Sequence, residues 1–156
     1  MYKILKGGIY SMKVKDCMCN EVCYVTPTST VKDCAKLMCD NKVGCIPVCD
    51  DTNTVVGLVT DRDVILRSIA CDKDVNSTPV SDIMTCNVCC CTPETDIEQA
   101  EKLMSQNQIR RLPVIENNKI VGIITLGDLA ANQNVDTQSV CDTLENICGC
   151  DDKNAE

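Results

Sequence analysis

The chain has 156 residues, a formal net charge of −8, 15 Cys, and no His, Phe or Trp. Such an acidic balance disfavours nucleic acid or an anionic membrane as the primary partner, because both need a basic face, although Arg110-Arg111 can still hold one small anion. No apolar run reaches the ~18 residues of a membrane span. With 44% hydrophobic residues it is globular, and its core must be assembled from Val, Ile, Leu, Met, Ala and Cys.

Residues 1–13 read as a flexible leader. Met1 to Ser11 has neither the apolar region nor the cleavage site of a signal peptide, so a cytoplasmic location is expected. From residue 14 a first module runs to residue 70. Its first element is a short strand, Val22 to Thr26, stopped by Pro27, which cannot continue a ladder. An amphipathic helix follows, with Val31, Cys34, Leu37 and Met38 on one face and an end near Asn41. A strand carrying Ile46-Pro47-Val48, the polar turn Asp50 to Asn53 and the strand Val55 to Thr60 read as a β-hairpin. A helix from Asp61 to Ala70 closes the module, and residues 71–79 form a linker.

The second module, residues 80–131, repeats this order. A strand from Val88 to Thr92 ends at Pro93. A helix carries Ile97, Ala100, Leu103 and Met104 and ends near Asn107, with Thr95 and Glu98 spaced as a capping box. Leu112-Pro113-Val114, the turn Glu116 to Asn118 and Ile120 to Thr125 make the second hairpin. Leu126 to Ala131 is the last helix of the module. Residues 132–156 hold a short helix, with Val140, Leu144 and Ile147 on one face, and an acidic tail.

The two modules are copies. Val14 and Val80, Pro27 and Pro93, and Pro47 and Pro113 are each separated by 66 residues, and Thr60 and Thr125 by 65. One residue is lost between the Pro-Val pair and the following Gly. A period of this length, present twice, describes two copies of one small unit.

The cysteines align with apolar residues of the sister copy: Cys34 with Ala100, Cys17 with Ile83, Cys49 with Ile115. They therefore read as small core residues, mostly buried and reduced. Cys89-Cys90-Cys91 and Cys148-Gly149-Cys150 are the densest clusters, and neither has the paired spacing of a zinc site.

The sharpest motif is Gly-apolar-apolar-Thr-x-x-Asp, at Gly57 to Asp63 and again at Gly122 to Asp128. One reading is purely local: Thr at the N-cap and Asp three residues on cap a helix. The other is a ligand site. A helix start offers unpaired N–H groups to a phosphate. The Thr hydroxyl can bond a sugar or phosphate oxygen, and the Asp can accept from a ribose diol. Ile46-Pro47 and Leu112-Pro113 would give a planar base an apolar slot.

In this order and number, the elements resemble a tandem pair of cystathionine-β-synthase-type (CBS) domains, a Bateman module, over about Val14 to Ala131. The resemblance implies an α+β fold: two βαββα repeats packed around a pseudo-twofold axis, their sheets facing a central cleft. It implies an adenosine-containing effector, such as AMP, ADP, ATP, S-adenosylmethionine or a dinucleotide, with no cofactor required, and pairing into a homodimer. Thr60 and Asp63 match the family's sugar and phosphate positions in one cleft, and Thr125 and Asp128 in the other. Arg111 matches a place where a basic residue reaches ligand phosphate, and Arg62 lies similarly beside the first motif. Cys45 stands where the second copy has Arg111, so the clefts are expected to be unequal.

No catalytic set accompanies these residues. There is no His, no Gly-x-Ser-x-Gly elbow and no Gly-x-x-x-x-Gly-Lys loop. The expected function is a stand-alone sensor, not an enzyme, that signals occupancy to an effector protein. The alternatives are a cysteine-based metal or redox protein built on the same scaffold and a structural dimerisation module with empty pockets.

Overall fold

The computed structural model describes residues 2–5 and 8–149; Cys150 and the expected acidic tail lie outside that range. Within the leader, Tyr2–Leu5 (β1) and Gly8–Ser11 (β2) pair antiparallel, Tyr2 opposite Ser11 and Leu5 opposite Gly8. Two paired strands thus lie within the segment read as a flexible leader; Tyr and Ile are good strand formers. The first copy supplies α1 (Val31–Asn41), β3 (Cys45–Cys49), β4 (Val55–Thr60) and α2 (Asp61–Arg67), followed by a 3-10 turn over Ile69–Cys71. The second supplies α3 (Ile97–Asn107), β5 (Arg111–Glu116), β6 (Lys119–Thr125) and α4 (Leu126–Ala131), and α5 (Thr137–Cys148) follows. The fold is α+β, with a two-stranded sheet in each copy.

The strands expected before Pro27 and Pro93 shrink to one parallel bridge each, Val25 with Val48 and Cys91 with Val114. Prolines on both sides explain this. Val25 donates to the Pro47 carbonyl at 3.0 Å and accepts from Cys49 at 2.9 Å. The next bond in one direction would need the N–H that Pro47 lacks, and in the other the N–H that Pro27 lacks. Pro113 and Pro93 impose the same limit on Cys91.

The helix start at α1 follows its sequence: Thr30 accepts from the Asp33 N–H at 3.1 Å. At α3 the expected Thr95–Glu98 box does not form. Asp96 is the N-cap, and its carboxylate accepts from Ser11 Oγ and from Lys13 Nζ at 2.8 Å instead of capping. Thr95 Oγ1 accepts from the Thr92 N–H at 3.0 Å. A tertiary contact with the leader has displaced the local one. In α5 the buried positions are Val140 and Thr143, with Ile147 packed beside them, while Leu144 is exposed. The packed face runs through i, i+3 and i+7, which leaves Leu144 on its flank.

The compact units do not follow the copies in sequence. One contains the described residues of Met1–Asn20, Cys89–Glu116 and Val121–Glu156; the other contains Glu21–Val88 and Asn117–Ile120. Each copy's opening segment therefore docks in the unit built on the other copy. Val14 donates to the Thr95 carbonyl at 2.8 Å and Lys15 to that of Pro93 at 3.0 Å; Val80 donates to Ser29 at 2.8 Å and Ser81 to Pro27 at 3.1 Å. Cys19 and Ile123 exchange a pair of backbone bonds, as do Thr85 and Leu58. The cores follow suit. Val14, fully buried, packs with Ile97, Met104, Leu112, Ile124 and Leu129. Val80 and Ile83 pack with Val31, Cys34, Ile46, Val48 and Val59.

This docking accounts for the motif glycines. A Cβ at Gly122 would lie 2.7 Å from Met18 Sδ and 3.0 Å from the Cys19 carbonyl oxygen, and one at Gly57 would overlap Met84 Sδ. At Gly57 the obstacle is a flexible side chain; at Gly122 it includes backbone. Gly122→Ala is expected to destabilise the protein by about 1–3 kcal/mol, with Gly57→Ala milder. Urea denaturation midpoints check this, and equal midpoints for the two variants would contradict it.

Candidate functional site

Each motif sits where a strand turns into a helix. Thr60 ends β4 and caps α2; Thr125 ends β6 and caps α4. In the first copy Asp63 Oδ2 accepts from the Thr60 N–H at 2.9 Å and from Thr60 Oγ1 at 2.8 Å, while Thr60 Oγ1 accepts from the Asp63 N–H at 3.2 Å. The second copy repeats this with Asp128 and Thr125 at 2.8, 2.7 and 3.1 Å. The local capping arrangement is thus formed twice. It engages Oδ2, and a carboxylate has about four acceptor sites, so Oδ1 stays outside the box.

The first N–H of each helix is tied to the residue before the Pro-Val strand. Asp61 donates to the Gly44 carbonyl at 3.1 Å and Leu126 to that of Arg110 at 2.9 Å. Cys45 lies directly opposite Thr60 in the β3–β4 pair. In the second copy the Leu126 bond brings the start of α4, with Thr125 and Asp128, to the start of β5, where half-buried Arg111 stands. Arg62 is exposed on α2. Neither Arg62 nor Arg111 joins an ion pair among the described residues.

The expected apolar slot does not take that form. Ile46 and Leu112 are fully enclosed in their cores and Pro47 and Pro113 are buried. Adjacent residues on these short central strands are covered on both faces, so these side chains support the strand and present no open face.

One residue beside the site escaped the sequence reading. Arg67 lies 3.5 Å from Asp63 Oδ1, and donates to the Ile83 carbonyl at 2.9 Å and to Thr85 Oγ1 at 3.2 Å. The signal was present, since an Asp and an Arg four residues apart on a helix are neighbours. The second copy has Asn132 at this place, which donates to Cys17 Sγ at 3.1 Å. Asp63 thus has a cation beside it and Asp128 has a neutral amide four residues on.

The cysteines divide more evenly than expected. Of the 14 described thiols, Cys34, Cys45, Cys49 and Cys91 are buried and six are exposed. Alignment with an apolar partner marks core positions such as Cys34, but Cys39, Cys71, Cys86, Cys141 and Cys148 fall on outward positions. Burial pushes the Cys34 and Cys49 thiols up to about 11 and Cys91 up to about 12. Burial also raises Cys17, the Asn132 hydrogen bond opposing and the charges of Asp16 and Asp128 adding to it. No group of three or more Cys, Asp or Glu placed to hold a metal occurs among the described residues.

The CBS domain family model matches residues 14–69 and 80–133, once in each copy. This chain belongs to the CBS-domain family. It is 42% identical to the CBS domain-containing protein YhcV of Bacillus subtilis over 134 residues, 86% of this chain and 94% of that one. The crystal structure of Hypoxic Response Protein I with two coordinated zinc ions is 28% identical, covers 76% of this chain and 97% of that chain, and superposes with a TM-score of 0.71. The CBS domain pair of protein MJ0100, in complex with 5′-methylthioadenosine and S-adenosyl-L-methionine, is 23% identical with a TM-score of 0.71, covering 78% of this chain and 94% of that one. No helix among the described residues of this CBS pair is long and apolar enough to cross a membrane.

Thiol chemistry checks the placement of the cysteines. At neutral pH, iodoacetamide is expected to label Cys39, Cys71, Cys86, Cys141 and Cys148 in the folded protein, and Cys34, Cys49 and Cys91 only in denaturant. Mass spectrometry that found Cys34 or Cys91 labelled as fast as Cys141 would overturn the assignment.

Proposed function

We propose that this CBS pair is a regulatory module that binds an adenosine-containing ligand and passes its occupancy to an effector protein, without catalysing a reaction. The observation that carries this reading is the Thr125–Asp128 box. There Oδ1 stands outside the box, no arginine occupies the i+4 position, and the Leu126–Arg110 bond holds Arg111 at the adjoining strand start. Asp128 would accept from the ribose diol, Thr125 would lie beside it, and Arg111 would reach a phosphate. The solved CBS pair holding 5′-methylthioadenosine and S-adenosylmethionine shares this fold and supports the ligand class. In the first copy Arg67 competes for Asp63 and Cys45 replaces the arginine, which favours the second copy for a phosphorylated ligand. The zinc-bound relative supports a cysteine-metal reading; the raised thiols of the buried cysteines weigh against it, because the thiolate is the ligating form.

Hydrogen bonds to a charged acceptor contribute about 1.5–3 kcal/mol, so Asp128→Ala is expected to weaken AMP binding more than tenfold. Thr125→Val is expected to have a smaller effect, and Arg111→Ala to abolish the preference for AMP over adenosine. Calorimetric titration of the variants is the measurement. Unchanged affinity in Asp128→Ala would leave capping as the motif's whole role.

The same reading includes a homodimer. Ile65, Leu66 and Ile69 form an exposed apolar patch on α2 and the turn after it, at 55%, 47% and 58% exposure. A twofold pairs a patch with itself, so an uncharged apolar surface is self-complementary. Sedimentation should show a dimer that Leu66→Glu converts to monomer; a variant that still dimerises places the interface elsewhere.

A further inference from the structure

The second copy carries a buried acid that the ligand reading does not use. Glu101 lies on α3 where α5 packs against it, and it is only 5% exposed. Ser139 Oγ of α5 donates to its Oε2 at 2.5 Å, and its Oε1 is buried with no hydrogen-bond partner among the described residues. A cavity of about 180 Å³ opens beside it, lined among others by Met12, Ile97, Glu98, Val135 and Asp136. Among the described residues the charged groups around it are mostly acidic: Glu98 on α3, Asp136 at the N-cap of α5, and Asp142 on α5, with Lys102 of opposite sign, and the positive charge of the N-terminal amine also acts on it. The leader contributes Ser11 and Met12 there, and Lys13 is held by Asp96.

An ionised carboxylate in that place leaves a charged oxygen unpaired and faces two like charges, whereas a neutral acid leaves only a carbonyl oxygen unpaired. We propose that Glu101 is a proton-controlled latch, seating α5 on α3 as a neutral acid and loosening it as an anion. Burial raises the Glu101 carboxyl from its ordinary 4.5; the Ser139 hydrogen bond opposes this, the charges of Glu98 and Asp136 add to it, and the N-terminal amine opposes it. The folded state therefore holds this proton more tightly than the unfolded chain. The stability it contributes is complete below pH 4.5 and is lost as pH rises through the raised folded value. Because α5 also packs on α4, which begins at the Thr125–Asp128 box, the latch borders the proposed ligand site. Its operation does not depend on any ligand.

Hydrogen exchange of the full-length protein, read over 137–148 against α1 as internal reference and corrected for the intrinsic rate, tests this. Protection of 137–148 is expected to fall on the order of tenfold across the titration, while α1 changes little. Glu101→Gln, neutral and of the same shape, should keep protection high and independent of pH. Ser139→Ala keeps the acid and removes the bond that opposes its rise, so the fall should move to higher pH. A Glu101→Gln profile parallel to the parent's would overturn the latch, as would a Ser139→Ala midpoint that stays in place or moves down.

Discussion

The exchange of opening segments between copies is the constraint on which the rest of this structure depends. Val14 and Val80 each enter the core built on the other copy, and the backbone bonds that hold them recur in pairs. A half-chain cut at the sequence repeat would lose one of its fully buried valines and a bridge to its last strand. Small units bury thin cores and tolerate such losses poorly. The arrangement also determines which residues the motif can contain. Glycine at 57 and 122 is required by a methionine from the incoming segment, and so belongs to packing and not to a ligand.

Proline acts on the same scale by subtraction. Four prolines, two flanking each parallel bridge, hold the segment before each long helix to a single bridge beside its hairpin, while the incoming segment adds a second bridge on the hairpin's other strand. The strands that end at Thr60 and Thr125 turn at once into helices. The same central strands are covered on both sides, which encloses Ile46 and Leu112 completely. The sheet is therefore a support for the helix starts.

The two helix starts share a capping box and differ in what surrounds it. Arg67 beside Asp63 ties the first box to the Ile83 carbonyl, whereas Asn132 in the second copy turns to the Cys17 thiol. A cation at 3.5 Å from Asp63 neutralises the acceptor that a sugar hydroxyl would seek. The two copies thus hold helix starts of one capping geometry and unlike electrostatics. The difference rests on single positions, Arg67 against Asn132 and Cys45 against Arg111.

The sequence by itself determined the duplication, both hairpins, the long helices Val31–Asn41 and Ile97–Asn107, and the Thr–Asp boxes. Each of these is written in periodicity or in contacts three or four residues long, which a linear pattern carries. The tertiary structure decided which copy each opening segment serves, because Val14 reads as equally apolar wherever it docks. It diverted Asp96 from capping to Lys13 and Ser11, partners more than 80 residues away that outcompete the local Thr95–Glu98 pair. It also decided the burial of Glu101, whose first-copy counterpart is Ala35 and whose cover is α5, an element outside the repeat. A glutamate on a helix reads as solvated until another helix is laid across it, and only long-range packing determines where that helix lies.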